Sequence, residues 1–137
     1  MQKTTKGFTL LELLIALAIL AIIAAILIPN FFATTDRARL RSDIQSARVI
    51  QNAIELYRAE RGAAPAGNME AVLTQLTTAG FIRARQTDIQ TENAVWEIHP
   101  QLGVVVNIHA SPPGVHSAYG GLPPTERALV INGRAGG

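Results

Sequence analysis

The sequence predicts an α+β protein: one long N-terminal α-helix, transmembrane in its first half and amphipathic in its second, packed on a small antiparallel β-sheet. Three observations predict it. The chain runs apolar without interruption from Leu13 to Ile28, apolar residues then recur every three or four positions from Leu40 to Tyr57, and three short β-branched runs bounded by turn residues follow Arg85.

The first element extends from Phe8 to Ile28, about 21 residues, which as an α-helix is roughly 31 Å long and matches a bilayer core. Leu, Ile and Ala dominate it and neither Gly nor Pro interrupts it, so helix propensity and transfer free energy both favour an inserted helix. Glu12 is the exception. A carboxylate at the bilayer centre costs at least a few kcal/mol, but Glu12 lies only four residues, roughly 6 Å, from the start of the span, within reach of the headgroups. A boundary charge is the simplest account of it. A secretory signal peptide would use Lys3 and Lys6 as its basic region, but such a signal has a shorter apolar core that ends at a small-residue cleavage site. Here the run is longer and ends in Ile28-Pro29-Asn30, with Ala16-Leu17-Ala18 inside it. An uncleaved anchor explains the hydrophobicity and leaves Gly7, Phe8 and Glu12 without a role.

The helix continues past Ile28. Pro29 cannot donate to the carbonyl four residues earlier, so a kink or loosening is expected there. Leu40, Ile44, Ala47, Ile50, Ile54 and Tyr57 form one face, with Arg41, Asp43, Arg48, Glu55 and Arg58 off it. Such a stripe packs against a small domain or a second subunit. Arg61-Gly62, with Pro65 soon after, stops the helix. A short second helix is expected from Met69 to about Thr78, capped by Asn68, stopped by Gly80, and buried through Met69, Val72, Leu73 and Leu76. Strands are expected at 94–98, 104–108 and 127–131. His99 to Gly103 suits a hairpin, whereas Ser111 to Thr125 reads as a long Pro- and Gly-rich loop. Three strands on a helix form a stable unit, which an isolated hairpin does not.

Composition excludes several classes of function. The chain has no cysteine, which removes disulfides, thiolate chemistry, Cys-ligated zinc and covalent haem together. His99, His109 and His116 are accompanied by no carboxylate or cysteine pattern, so no metal site is expected. No phosphate-cradling glycine loop, nucleophile elbow or catalytic carboxylate pair is present. The chain reads as a non-enzyme without a cofactor. Arg37, Arg39, Arg41 and Arg48 could meet nucleic-acid phosphates, but Asp36 and Asp43 interleave with them and no aromatic platform accompanies them. A solvated or intersubunit face accounts for them better. Aromatic residues make up 5% of the chain, which permits electron conduction through stacked rings without supporting it.

The string Lys6-Gly7-Phe8-Thr9-Leu10-Leu11-Glu12, followed by the apolar helix and Pro29, closely resembles the class III signal of type IV pilins and of the pseudopilins of type II secretion systems. The resemblance implies a leader over 1–7, cut by a membrane prepilin peptidase between Gly7 and Phe8, with methylation of the new Phe8 amine. It implies a transmembrane and filament-core helix over 8–28, an amphipathic continuation over 29–62 and a C-terminal globular part over 63–137. By position, Glu12 would neutralise the Phe8 amine of a neighbouring subunit in an apolar filament core, a pairing that offsets a desolvation cost neither charge bears alone. The implied partners are further copies of the chain in a helical homopolymer, the peptidase, an assembly ATPase, a membrane platform protein and, before assembly, lipid.

Removing the leader changes the charge. The whole chain is +2 with a pI near 9.5, but both lysines lie in the leader, leaving ten arginines against ten acidic residues. Lys3 and Lys6 favour a cytoplasmic N-terminus while Arg37, Arg39 and Arg41 follow the other end of the span, so the positive-inside rule is ambiguous. The resemblance resolves it towards an N-terminus in the cytoplasm, a single-pass precursor in the inner membrane and then an extracytoplasmic or surface filament. The segment Asp43 to Pro65, with Ile54-Glu55-Leu56-Tyr57-Arg58 near its centre, looks most like major pseudopilins. Two features depart from the wider family: there is no C-terminal cysteine pair, and the segment 110–125 has no Asp or Glu for the calcium that secretion pseudopilins often bind. A surface pilus, a secretion pseudopilus and a DNA-uptake fibre share this N-terminal physics, and a plain anchored extracytoplasmic domain is the remaining alternative.

Overall fold

The computed structural model describes residues 7–133 and divides into two compact units, Met1–Phe32 and Ala33–Gly137. Lys3 and Lys6 of the expected leader lie outside the described residues. One helix, α1 (Leu10–Arg61), begins in the first unit and ends in the second, helical through Pro29.

In the first unit α1 is the sole described element. Its most apolar stretch has a mean hydropathy of 3.1 over 18 residues and none of it is buried. It is long and apolar enough to cross a membrane.

In the second unit the expected stripe is the core face of α1. Leu40, Ile44, Ala47, Ile50 and Ala53 are buried, while Ile54 and Tyr57 are half-buried against the same cluster. The helix stops at Arg61, and the Gly62 N–H donates to the Arg58 carbonyl at 2.9 Å. Helix α2 (Met69–Thr78) has the expected bounds: Asn68 Oδ1 accepts the Ala71 N–H at 2.9 Å, and Val72 and Leu76 are buried. Phe81 then returns to meet Tyr57 edge-on, with ring centroids 5.6 Å apart.

Strands β1 (Val95–His99) and β2 (Gly103–Asn107) form the expected antiparallel hairpin, with Val95 opposite Asn107 and His99 opposite Gly103. The third strand corrects the expectation of an all-antiparallel sheet. β3 (Val130–Ile131) pairs parallel to β2, Val106 opposite Val130, so the sheet is mixed with order β1-β2-β3. The cause lies in the segment expected to be a loop, which forms two helices, α3 (Pro113–Gly120) and α4 (Pro124–Arg127). Each opens on a Pro-Pro pair, the first proline extended and the second at the start of the helix, where its missing N–H is not needed. A crossover of this kind carries the chain back to run parallel. It also takes Arg127 out of the expected third strand, which shrinks to two residues. With neighbours on both sides, β2 buries consecutive residues Val104 to Asn107, as a central strand does.

Polar side chains on α1 pin each of these pieces. Gln51 Oε1 accepts the Val104 N–H at 3.1 Å beneath the hairpin turn. Gly103 at that turn has φ +77°, and a Cβ there would run into the Gln51 amide. Asp36 and Arg37 sit at opposite ends of α3: Cβ atoms at Gly114 and Gly121 would fall 2.6 Å from Asp36 Oδ2 and 2.5 Å from an Arg37 guanidinium nitrogen. The carboxylate therefore lies by the positive end of the short helix and the guanidinium by its negative end. Arg41 Nε pairs with Glu126 of α4 at 3.0 Å.

Candidate functional site

The N-terminal string is built around a helix start. Gly7, Phe8 and Thr9 are non-helical and exposed, and Phe8 is 90% exposed. Thr9 and Glu12 then satisfy each other across the first turn. The Thr9 N–H and Oγ1 donate to Glu12 Oε2 at 2.9 and 3.0 Å, the Glu12 N–H donates to Thr9 Oγ1 at 3.2 Å, and the Leu13 N–H reaches the Thr9 carbonyl at 3.2 Å. This is a capping box, in which a hydroxyl and a carboxylate three residues apart satisfy backbone donors that a helix start leaves orphaned.

The sequence carried that signal, since Thr9-Leu10-Leu11-Glu12 has the spacing of the motif. It gives Glu12 an occupation within its own chain, separate from any role between chains. Gly7 lies outside the box, and a Cβ there would meet nothing within 4 Å. The peptide bond joining Gly7 to Phe8 lies ahead of the helix. Pro29 belongs to a distant turn of α1 and is not brought near Gly7, Phe8 or Glu12.

Further along the first unit, Leu27, Ile28, Phe31 and Phe32 line an open apolar hollow of about 250 Å³, with the two phenylalanine rings edge-on at 6.3 Å. This hollow lies on a helix with no buried residue in its most apolar stretch, and its lining is wholly apolar.

One buried charged residue corrects the sequence reading, which placed it off the apolar face. Asp43 is fully buried and accepts the Gln90 and Thr91 N–H groups at 2.9 and 2.8 Å. Its spacing from Leu40, Ile44 and Ala47 puts it on the core face, so periodicity alone could have found its burial. Its partners, 47 and 48 residues away, carry no local signal. The histidines make local contacts: His99 Nδ1 accepts the Gln101 N–H at 3.3 Å, and His116 Nε2 lies 3.0 Å from the Ser111 carbonyl oxygen. Among the described residues no three His, Cys, Asp or Glu side chains gather as a metal site would require.

The prokaryotic N-terminal methylation motif matches residues 2–28. The chain is 43% identical over 54 residues to prepilin peptidase-dependent protein A of Clostridium perfringens, covering 39% of each chain. It is 30% identical over 79 residues to type II secretion system core protein G of Vibrio cholerae, covering 56% of this chain and 53% of that one. It is 34% identical over 111 residues to a fimbrial protein of Neisseria meningitidis, covering 81% of this chain and 59% of that one. The chain thus spans between 39% and 59% of the length of these relatives. No solved structure matches it.

Proposed function

We propose, for a chain that its methylation motif and relatives make a member of the type IV pilin and pseudopilin family, a structural role as the repeating subunit of a pilus or pseudopilus. The observation that carries this reading is the motif over residues 2–28 leading directly into an exposed, membrane-length apolar helix. A helical stretch that is apolar and buries nothing in its own chain is stable first in lipid and then against copies of itself. The subunit performs no catalysis.

In this reading residues 1–7 are the leader, prepilin peptidase cuts between Gly7 and Phe8 on the cytoplasmic side, and the Phe8 amine is methylated. Residues 8–28 span the membrane with the N-terminus in the cytoplasm and later form the filament core. Pro29 loosens α1 at the membrane exit, residues 29–62 continue the helix, and 63–137 form the globular part outside the cytoplasm. An assembly ATPase and a membrane platform protein extract the subunit. Glu12, held in its capping box before assembly, neutralises the Phe8 amine of a neighbouring subunit once both leave the membrane.

The reading as a DNA-uptake subunit is weaker. Two of its four arginines are engaged within the chain, Arg41 with Glu126 and Arg37 at the end of α3.

The test is the intact mass and N-terminal residue of the native protein. A methylated Phe8 terminus in sheared surface material supports an extracellular pilus, and the same product confined to membranes supports a pseudopilus. An unprocessed Met1 overturns the reading and leaves an anchored domain.

A further inference from the structure

Directly after β3 the chain has its one Asn-Gly pair, Asn132 and Gly133, and both residues are exposed. The backbone on either side is anchored. The Ile131 carbonyl accepts the Ile108 N–H at 3.0 Å, and the Gly133 carbonyl accepts from Asn107 Nδ2 at 3.2 Å. The amide between these carbonyls is not held: among the described residues neither the Gly133 N–H nor the Asn132 side chain has a hydrogen-bond partner. The space beside it is open, since a Cβ at Gly133 would meet nothing within 4 Å.

The other five asparagines lack this combination. Asn30 and Asn52 lie inside α1, where the next residue's N–H is committed to the helix ladder. Asn68 spends its Oδ1 on the cap of α2. After Asn93, the Ala94 N–H donates to the Thr91 carbonyl at 3.3 Å. Asn107 uses both ends of its side-chain amide, donating to Glu97 at 2.7 Å and accepting the His109 N–H at 2.9 Å.

We propose that Asn132-Gly133 is a site of spontaneous covalent modification, deamidation through a succinimide. The Gly133 nitrogen attacks Asn132 Cγ: an N–Cγ bond forms, the Cγ–Nδ2 bond breaks, and Nδ2 leaves as ammonia, taking the proton that the Gly133 nitrogen gives up. Water then opens the ring. Addition at Cγ gives aspartate, and addition at the main-chain carbonyl carbon gives isoaspartate, whose backbone runs through the former side chain. The balance is ammonia lost and water gained, with nothing oxidised or reduced. Glycine favours the attack because it brings no Cβ to crowd the approach. Both products lower the formal charge of the chain by one, and isoaspartate adds a carbon to the backbone between the two anchored carbonyls. This chemistry needs neither an enzyme nor a second copy of the chain, so it stands apart from the filament-subunit reading.

The test ages the purified full chain in detergent, in warm and mildly alkaline buffer, and maps its tryptic peptides by mass. Peptide 128–134 is expected to gain about 1 Da and to resolve into two products, one of them isoaspartyl and resistant to an aspartate-specific endoproteinase. The peptides carrying the other asparagines stay unchanged. Gly133→Ala is the control, since the added methyl has open space and the backbone there is not left-handed. It is expected to keep the unfolding midpoint and to convert at least about tenfold more slowly.

No mass gain in peptide 128–134 after several weeks overturns the proposal, as does equal conversion in Gly133→Ala. Aspartate without isoaspartate means direct hydrolysis of the side chain and overturns the succinimide route. Equally fast conversion at another asparagine removes the distinction drawn for Asn132 and overturns it too.

Discussion

Asp43 of α1 accepts the backbone N–H of Thr91 at 2.8 Å from a fully buried position, and with the neighbouring Gln90 N–H at 2.9 Å it ties the segment before β1 to the helix. The sheet therefore docks on α1 through a carboxylate inside an otherwise apolar stripe. Removing it leaves two backbone donors facing a cavity, a change that costs more than the bonds contribute net. Asp43→Ala is expected to lower stability by about 2–4 kcal/mol, read as a lower unfolding midpoint of the detergent-solubilised chain. Asp43→Asn, which keeps one acceptor oxygen, is expected to lose less. Equal stability of Asp43→Ala and the parent would remove this role.

What the sequence disclosed depended on how local each signal was. Asn68 capping α2, Gly62 ending α1 and the β1–β2 hairpin are written within a few residues, and they stand where expected. The parallel β3 was hidden because Pro112-Pro113 and Pro123-Pro124 read as loop, although a proline pair also starts a helix. Only the position of β3 beside β2, more than twenty residues away in the chain, reveals the crossover. The spacing of Asp43 from Leu40 and Ala47 already placed it on the buried face, but a charge reads as solvated by residue type, and its partners are backbone groups, which leave no trace in residue identity. At the N-terminus the resemblance drew attention to Glu12 as an intersubunit charge, while the capping box beside Thr9 was equally present in the spacing.

The hairpin turn makes a second test of packing on α1. Gly103 combines φ +77° with close approach to the Gln51 side chain, so Gly103→Ala suffers both left-handed backbone strain and a clash. A loss of about 1–3 kcal/mol is expected. Adding Gln51→Ala should recover the part due to the clash and leave the strain, which a double-mutant cycle in chemical denaturation separates.

The surface pair Arg41–Glu126 is a contrasting case. Arg41 is half exposed and Glu126 about a quarter exposed, so the pair competes with water and salt. Glu126→Gln is expected to change stability by under about 1 kcal/mol. A larger loss, insensitive to added salt, would mean that α4 depends on this contact.

If the proposed peptidase cuts after Gly7, processing and folding separate there. A side chain there meets nothing within 4 Å in the subunit, so substitutions at this position are expected to leave the fold intact and, in the proposed reading, to act on cleavage alone. Gly7→Ala is expected to be cleaved poorly and Gly7→Leu not at all, with both precursors inserted in the membrane. Immunoblots of membrane fractions read this as accumulation of the longer form. Efficient cleavage of Gly7→Leu would remove the requirement for a small residue.

Glu12 has two occupations that substitutions can divide. As part of the capping box it accepts from Thr9, and glutamine at the same place can do so without charge. As the proposed partner of a neighbouring Phe8 amine it needs its charge. Thr9→Ala removes the hydroxyl of the cap at a local cost of about 1 kcal/mol and keeps the carboxylate. Glu12→Gln keeps a cap and loses the charge, and Glu12→Ala loses both. If charge pairing governs assembly, Glu12→Gln and Glu12→Ala fail alike in filament formation or methylation while inserting normally, and Thr9→Ala retains most assembly. Quantifying sheared filaments and the methylated Phe8 terminus across the three variants tests this. Normal filaments from Glu12→Ala would refute the pairing, and failure of Thr9→Ala with success of Glu12→Gln would transfer the role to the helix cap.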